Sequence, residues 1–126
     1  MPKIEFIIDW VDPVPKGRPR FSGGHVFTPK KTLDYEKLVA RAVMECNQAA
    51  FSGPVQVEMH FVLRTHRRAD VDNLAKSVMD GCNGYAFEDD TQVCRITATK
   101  KHGKTPSTHV IISPLEDDGV WHYTDK

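Results

Sequence analysis

Apolar residues recur in this chain with two periods. Ile4, Phe6 and Ile8 alternate with Glu5 and Ile7, which predicts a short strand with one apolar face. Val11-Asp12-Pro13-Val14-Pro15 ends it, because proline cannot continue a ladder. A helical period begins near Thr32. Tyr35, Leu38, Val39, Ala42, Val43, Cys46 and Ala49 form its predicted buried stripe. Asp34 and Glu36 fall in its first turn, where the macrodipole favours acids, and Ser52-Gly53-Pro54 stops it. Period two then returns. Val55, Val57, Met59, Phe61 and Leu63 face one side of a core strand, and Gln56, Glu58 and His60 the other.

A second helix is predicted from about Asp72 to Asn83, with Gly84 at C′. Leu74, Val78 and Cys82 make its apolar row, flanked by Ala75 and Met79, while Asp72, Lys76 and Asp80 make a polar row. Thr91 to Lys101 reads as a strand of imperfect period with room for a bulge. His102-Gly103-Lys104-Thr105-Pro106 is a turn, and Thr108 to Ser113 a last strand. The order strand, helix, strand, helix, strand, strand predicts one α+β domain over residues 1–126, a mixed sheet with two main helices packed on it. Within it, residues 16–30 read as a mobile basic loop, with a small hairpin around Gly23-Gly24 that carries Phe21 and Phe27 on its arms. Residues 115–126 read as an acidic tail.

Composition narrows the class. At 126 residues the chain can bury a core without disulfides or metal staples. Cys46, Cys82 and Cys94 show no CxxC spacing, which argues against a disulfide framework and a zinc site. No signal peptide or long apolar run is present, so a soluble intracellular protein is expected, with no membrane partner. Net charge is zero, but its distribution is uneven. Lys16, Arg18, Arg20, Lys30, Lys31, Lys37 and Arg41 are opposed only by Asp34 and Glu36 over their stretch, and Arg64, Arg67 and Arg68 lead into an acidic centre. Separated zones of this kind suit a protein that holds a polyanion beside an acidic metal site.

That centre is Asp70-Val71-Asp72. In an extended segment the two side chains point the same way, and two converging carboxylates repel unless a cation lies between them. Asp70 or Asp72 can also cap the second helix. Asp89-Asp90 follows that helix and is placed to fold back to the same point. Hard divalent cations such as Mg²⁺ take few carboxylates, with water and phosphate completing the shell. Lys76 lies one turn from Asp72, near where a phosphate would meet such a metal. The plainer reading of the same residues is a capped helix, an i,i+4 Asp–Lys pair and an acidic turn. The histidines lack metal-ligand spacing.

Arg67-Arg68-Ala69-Asp70-Val71-Asp72-Asn73-Leu74-Ala75-Lys76, with Asp80-Gly81 and Phe87-Glu88-Asp89-Asp90-Thr91-Gln92-Val93, resembles the RusA family of crossover junction endodeoxyribonucleases, the Holliday junction resolvases of bacteria and their phages. Gly17-Arg18-Pro19-Arg20-Phe21, Thr28-Pro29-Lys30-Lys31-Thr32 and Tyr35 are similar to the family's entry segment. The resemblance implies a small homodimer in the bacterial cytoplasm that cuts branched four-way DNA with Mg²⁺, with Mn²⁺ as a substitute. It implies Asp70, Asp72 and Asp90 as catalytic metal-binding carboxylates and Lys76 as the catalytic lysine. Lys16, Arg18, Arg20, Lys30, Lys31, Arg67 and Arg68 are the candidate DNA contacts. Paired symmetric cuts in a two-fold junction require two sites, hence a dimer. Two alternatives stand beside this: a non-catalytic junction-binding protein with a structural cation, and a nuclease of forks or flaps.

Overall fold

The computed structural model describes residues 2–17, 20–65 and 68–115, the Arg20 side chain excepted. The order is β1 (Ile4–Asp9), a hairpin of β2 (Arg20–Ser22) and β3 (His25–Phe27), α1 (Lys30–Glu45), β4 (Val55–Leu63), α2 (Val71–Cys82), a 3-10 turn (Asp90–Gln92), β5 (Val93–His102) and β6 (Ser107–Pro114). The predicted acidic tail lies outside the described residues beyond Leu115.

The main sheet runs β1-β6-β4-β5. β6 pairs antiparallel with both β1 and β4, while β4 and β5 are parallel. It is therefore the mixed sheet expected of this α+β order. The β4–α2–β5 crossover places the two ends of α2. β4 and β5 run the same way, so α2 must carry the chain back from the C-terminal end of β4 to the start of β5.

Core residues are the predicted ones on β4. Val55, Val57, Met59, Phe61 and Leu63 are all buried, as are Leu74, Val78 and Cys82 of α2. Gly81 lets α2 approach α1, since a Cβ there would stand 2.8 Å from Val39 Cβ and 2.9 Å from the Glu36 carbonyl oxygen. The bulge in β5 is real. Val55 pairs with Val93 and Gln56 with Arg95, so Cys94 is the extra residue.

The first helix departs from its sequence reading. It starts at Lys30 behind Pro29, so Asp34 and Glu36 fall beyond its first turn. Leu38 is 37% exposed, and Ala49 lies past the helix. The helix ends at Glu45 rather than at Ser52-Gly53-Pro54, because Asn47 takes φ 54°, a left-handed conformation that asparagine tolerates and that closes helices.

Candidate active site

Asp70 is the N-cap residue of α2, with φ −76° and ψ 139°, and its side chain makes no capping hydrogen bond. That cap position commonly turns the carboxylate inward on the helix amides. Here the exposed carboxylate remains unengaged among the described residues. Asp72 is exposed in the first turn, and among the described residues its Oδ1 accepts only from the Asn73 backbone N–H, at 3.0 Å. The alternation expected of Asp70 and Asp72 does not apply, because Val71 is already helical. Helix entry, not strand geometry, sets their relation.

Lys100 fixes this entry. Its ammonium donates to the Ala69 carbonyl, and its partner across the sheet is Phe61, so the stretch before Asp70 is tied to the C-terminal halves of β4 and β5. The same end of the sheet carries a basic concavity of about 540 Å³ lined by Arg64, His102, Gly103 and Lys104. The candidate DNA contacts omitted these residues. The signal available was that Arg64 directly follows β4 and His102 ends β5, so parallel pairing of Leu63 with His102 brings both to one edge. Arg68 is exposed on the connection to Asp70, whereas Arg67 lies outside the described residues.

Asp90 does not fold back to Asp70 and Asp72. It opens the 3-10 turn before β5, and this turn is built on the opposite end of α2. Gln92 Nε2 donates to the Phe51 and Gly53 carbonyls at 2.8 and 2.9 Å, its Oε1 accepts from the Glu88 and Asp89 amides, and Phe87 bridges to Asn83 just past the helix. The 12 residues of α2 separate the two ends by roughly 18 Å. Accordingly, no three carboxylate, histidine or cysteine side chains among the described residues form a metal-holding group.

The two members of the acidic pair differ. Asp89 accepts from the Thr91 hydroxyl at 2.5 Å and the Thr91 amide at 3.0 Å, completing a capping box with Gln92. These bonds hold its carboxyl below the usual range. Asp90 is exposed and has no side-chain partner among the described residues. Asp89 holds the turn, and Asp90 carries no such commitment among the described residues.

Lys76 pairs along the helix with Asp80, at 3.2 Å, rather than with Asp72. Asp80 is shared: its other oxygen lies 2.9 Å from Lys16 Nζ, which also reaches Glu36 at 2.8 Å. Lys16 thus takes one acidic partner from its own stretch, Glu36, and a second from α2, Asp80. It is a part-buried tie between α1 and α2 rather than a free cation. Burial pulls its pKa down, but the Asp80 and Glu36 carboxylates outweigh burial and raise it. The Lys16 amide also donates to the Asn73 carbonyl at 2.9 Å. Of the other expected DNA contacts, Lys30 pairs with Asp34 at 2.7 Å and Lys31 is exposed with no ion pair among the described residues. Arg18 lies outside the described residues.

The carboxylates fit a hard cation in part. Asp70 and Asp72 lie two residues apart at the head of α2, exposed and nearly free of protein partners among the described residues, as a site completed by water and phosphate requires. The third carboxylate is uncommitted but distant within one chain.

Comparison with known proteins matches most of the chain. A family model described as Endodeoxyribonuclease RusA matches residues 11–113. The uncharacterized protein YqaN of Bacillus subtilis (strain 168) is 27% identical over 135 residues, covering 86% of this chain and 94% of the relative. No helix among the described residues is long and apolar enough to cross a membrane.

Proposed function

The chain belongs to the RusA endodeoxyribonuclease family, whose members resolve Holliday junctions, and on that basis we propose a Mg²⁺-dependent endonuclease that makes paired symmetric cuts in four-way DNA. The observation that carries this reading is the uncommitted Asp70 carboxylate at the head of α2, with Asp72 beside it. Asp70 and Asp72 would hold the cation, and Mn²⁺ would substitute for Mg²⁺. Bound there, the metal supplies Lewis acidity to a water and to the phosphate oxygens. Lys76 would turn from Asp80 to the phosphate. An exposed i,i+4 pair contributes only about 0.3–0.5 kcal/mol, so exchanging partners costs little. Arg64, Arg68 and Lys104 offer cations to the strands of DNA on the same side.

The distance between Asp90 and Asp72 supports a homodimer. β5 is one of the two edge strands of the sheet and exposed along most of its 10 residues. Two copies pairing antiparallel along β5 would set the start of one strand beside the end of the other. Asp90, just before β5, would then approach Asp70 of the second copy, which Ala69 and Lys100 tie to the strand's far half. Two such sites related by a two-fold axis match the symmetry of a four-way junction.

Cutting of a synthetic four-way junction, with Mg²⁺ and with EDTA, is the test. Paired nicks that need the metal support the enzyme. Tight binding without nicks in any divalent cation would favour a junction-binding protein. That second reading draws on the lack of a three-ligand group among the described residues.

A further inference from the structure

The β2–β3 hairpin exposes apolar residues that no part of the protein covers among the described residues. Phe21 is 80% exposed and Val26 60%. They are cross-strand partners in the register, so they share one face of the hairpin. Phe27, paired with Arg20, is 44% exposed. The turn is Gly23-Gly24, with φ 56° and 82°, the backbone of a tight two-residue hairpin loop. A Cβ at either glycine would meet nothing within 4 Å, so the tip is narrow and stands in open space. A hairpin of two three-residue strands is marginal alone in water, and here its apolar pair adds nothing to the core.

Its mounting is firm by contrast. The Gly17 amide donates to Thr32 Oγ1 at 3.1 Å, and a Cβ on Gly17 would collide with Pro29 at 2.8 Å. The two legs are therefore pinched together below the hairpin. The neighbouring Lys16 amide docks on the Asn73 carbonyl of α2, between Asp72 and Lys76 in sequence. So an apolar, glycine-tipped projection is attached to the helix that carries the candidate catalytic groups. The charge near it points to its occupant. Lys31, exposed and without an ion pair among the described residues, follows β3, and the sequence of β2 carries Arg20. That setting suits a polyanion with apolar faces rather than another apolar protein surface.

Resting on the junction-nuclease reading above, we infer that this hairpin is a wedge. Phe21 and Val26 enter the branch point and stack on bases that the junction has left without a neighbour. Apolar side chains inserted between base steps stabilise distorted DNA, and an open branch offers such steps without a duplex first being unstacked. The wedge would select branched over linear DNA and set the distance from the branch point to the cut, since hairpin and α2 are joined at Lys16 and Asn73.

The test places 2-aminopurine beside the branch point of a four-way junction and measures fluorescence and affinity in EDTA, so that nothing is cut. Wild-type protein should change the emission. The Phe21→Ala, Val26→Ala double variant should lose that response and bind the junction about tenfold more weakly, the scale of losing one base stack, with linear duplex affinity changed less than twofold. Circular dichroism should match the wild type, as both residues lie outside the core. Gly17→Ala, which disturbs the mount and not the tip, should shift the cut position while keeping the emission change. Wild-type emission and affinity in the double variant would overturn the wedge alone. A double variant that changes self-association and not the DNA response would also overturn it, making the hairpin a contact between copies. Failure of the wild type to bind branched DNA would overturn the wedge and the junction reading beneath it together.

Discussion

Lys76 Nζ stands 3.2 Å from Asp80 Oδ1, turned along α2 toward the helix C-terminus and away from Asp72. The pair is exposed on the lysine side, so a phosphate held near Asp72 can compete for the ammonium. Lys76→Ala should slow single-turnover cleavage by about 10²-fold or more, the scale of losing a transition-state donor. Junction affinity should stay within about threefold, because one phosphate contact is a small part of a large interface. Lys76→Arg keeps the charge without a readily lost proton, so rescue by arginine would assign charge stabilisation over proton donation. Wild-type rates in Lys76→Ala would leave the lysine as the helix partner of Asp80 and nothing more.

Asp70→Asn, Asp72→Asn and Asp90→Asn should each abolish cutting and spare junction binding, measured by cleavage and gel shift on the same preparations. Asp89→Asn should retain more activity than Asp90→Asn. Its amide oxygen can still accept from Thr91, so the turn before β5 persists. Equal loss in Asp89→Asn and Asp90→Asn would remove the distinction between them.

Mixing inactive variants tests whether Asp90 acts across a dimer. Asp70→Asn and Asp90→Asn proteins, each inert, should recover nicking when unfolded and refolded together. One site of the mixed dimer then carries both changes and the other carries none. The product should be single nicks rather than paired cuts. Absence of any recovery, with mixed dimers verified by mass, would put all three carboxylates in one chain and require α2 or the 3-10 turn to move.

Lys16 predicts an alkaline stability limit. Burial opposes its charge, but Asp80 and Glu36 raise its pKa in the fold above the ordinary lysine value. A raised value means that the tie contributes in full below the unfolded lysine pKa of about 10.4 and is lost as pH rises through the folded one. Thermal melts of wild type and Lys16→Met should differ by a constant amount from about pH 6 to 9 and converge in stronger alkali. A difference that shrinks instead toward acid would mean that Asp80 and Glu36, not Lys16, set the dependence.

Much of this was legible from period alone. The β4 stripe and the α2 row are buried as their spacing requires, because each pattern has one consistent face. The bulge in β5 was visible as a broken alternation around Cys94. The end of α1 was not, since an asparagine in the left-handed region leaves no mark that distinguishes it from any polar residue. The candidate site was legible as residues but not as geometry. Asp70 and Asp90 read as neighbours in a motif, yet the parallel β4–β5 pair sends them to opposite ends of α2. Lys16 read as one cation among several. Its carboxylate partners, 20 and 64 positions away, arrive only through the packing of α1 on α2.

β1 gains its pairing from β6, Ile4 against Ile112 and Asp9 against Ser107, so the first strand among the described residues is joined by the last of them. On the ribosome, at about 5–20 residues per second, β1 waits several seconds with no ladder to join. β4 also waits for β6 on one side, for a shorter time, although β5 can pair with its other side first. Helices and hairpin can form as they emerge, but the sheet cannot close until β6 appears, which predicts slow, late folding set by long-range strand pairing. A nascent chain stalled before Ser107 would present the candidate site residues, Asp70 and Asp72 among them, without the sheet that spaces them. Nuclease competence would thus arrive only with the last strand, a built-in delay between synthesis and activity for an enzyme that cuts DNA.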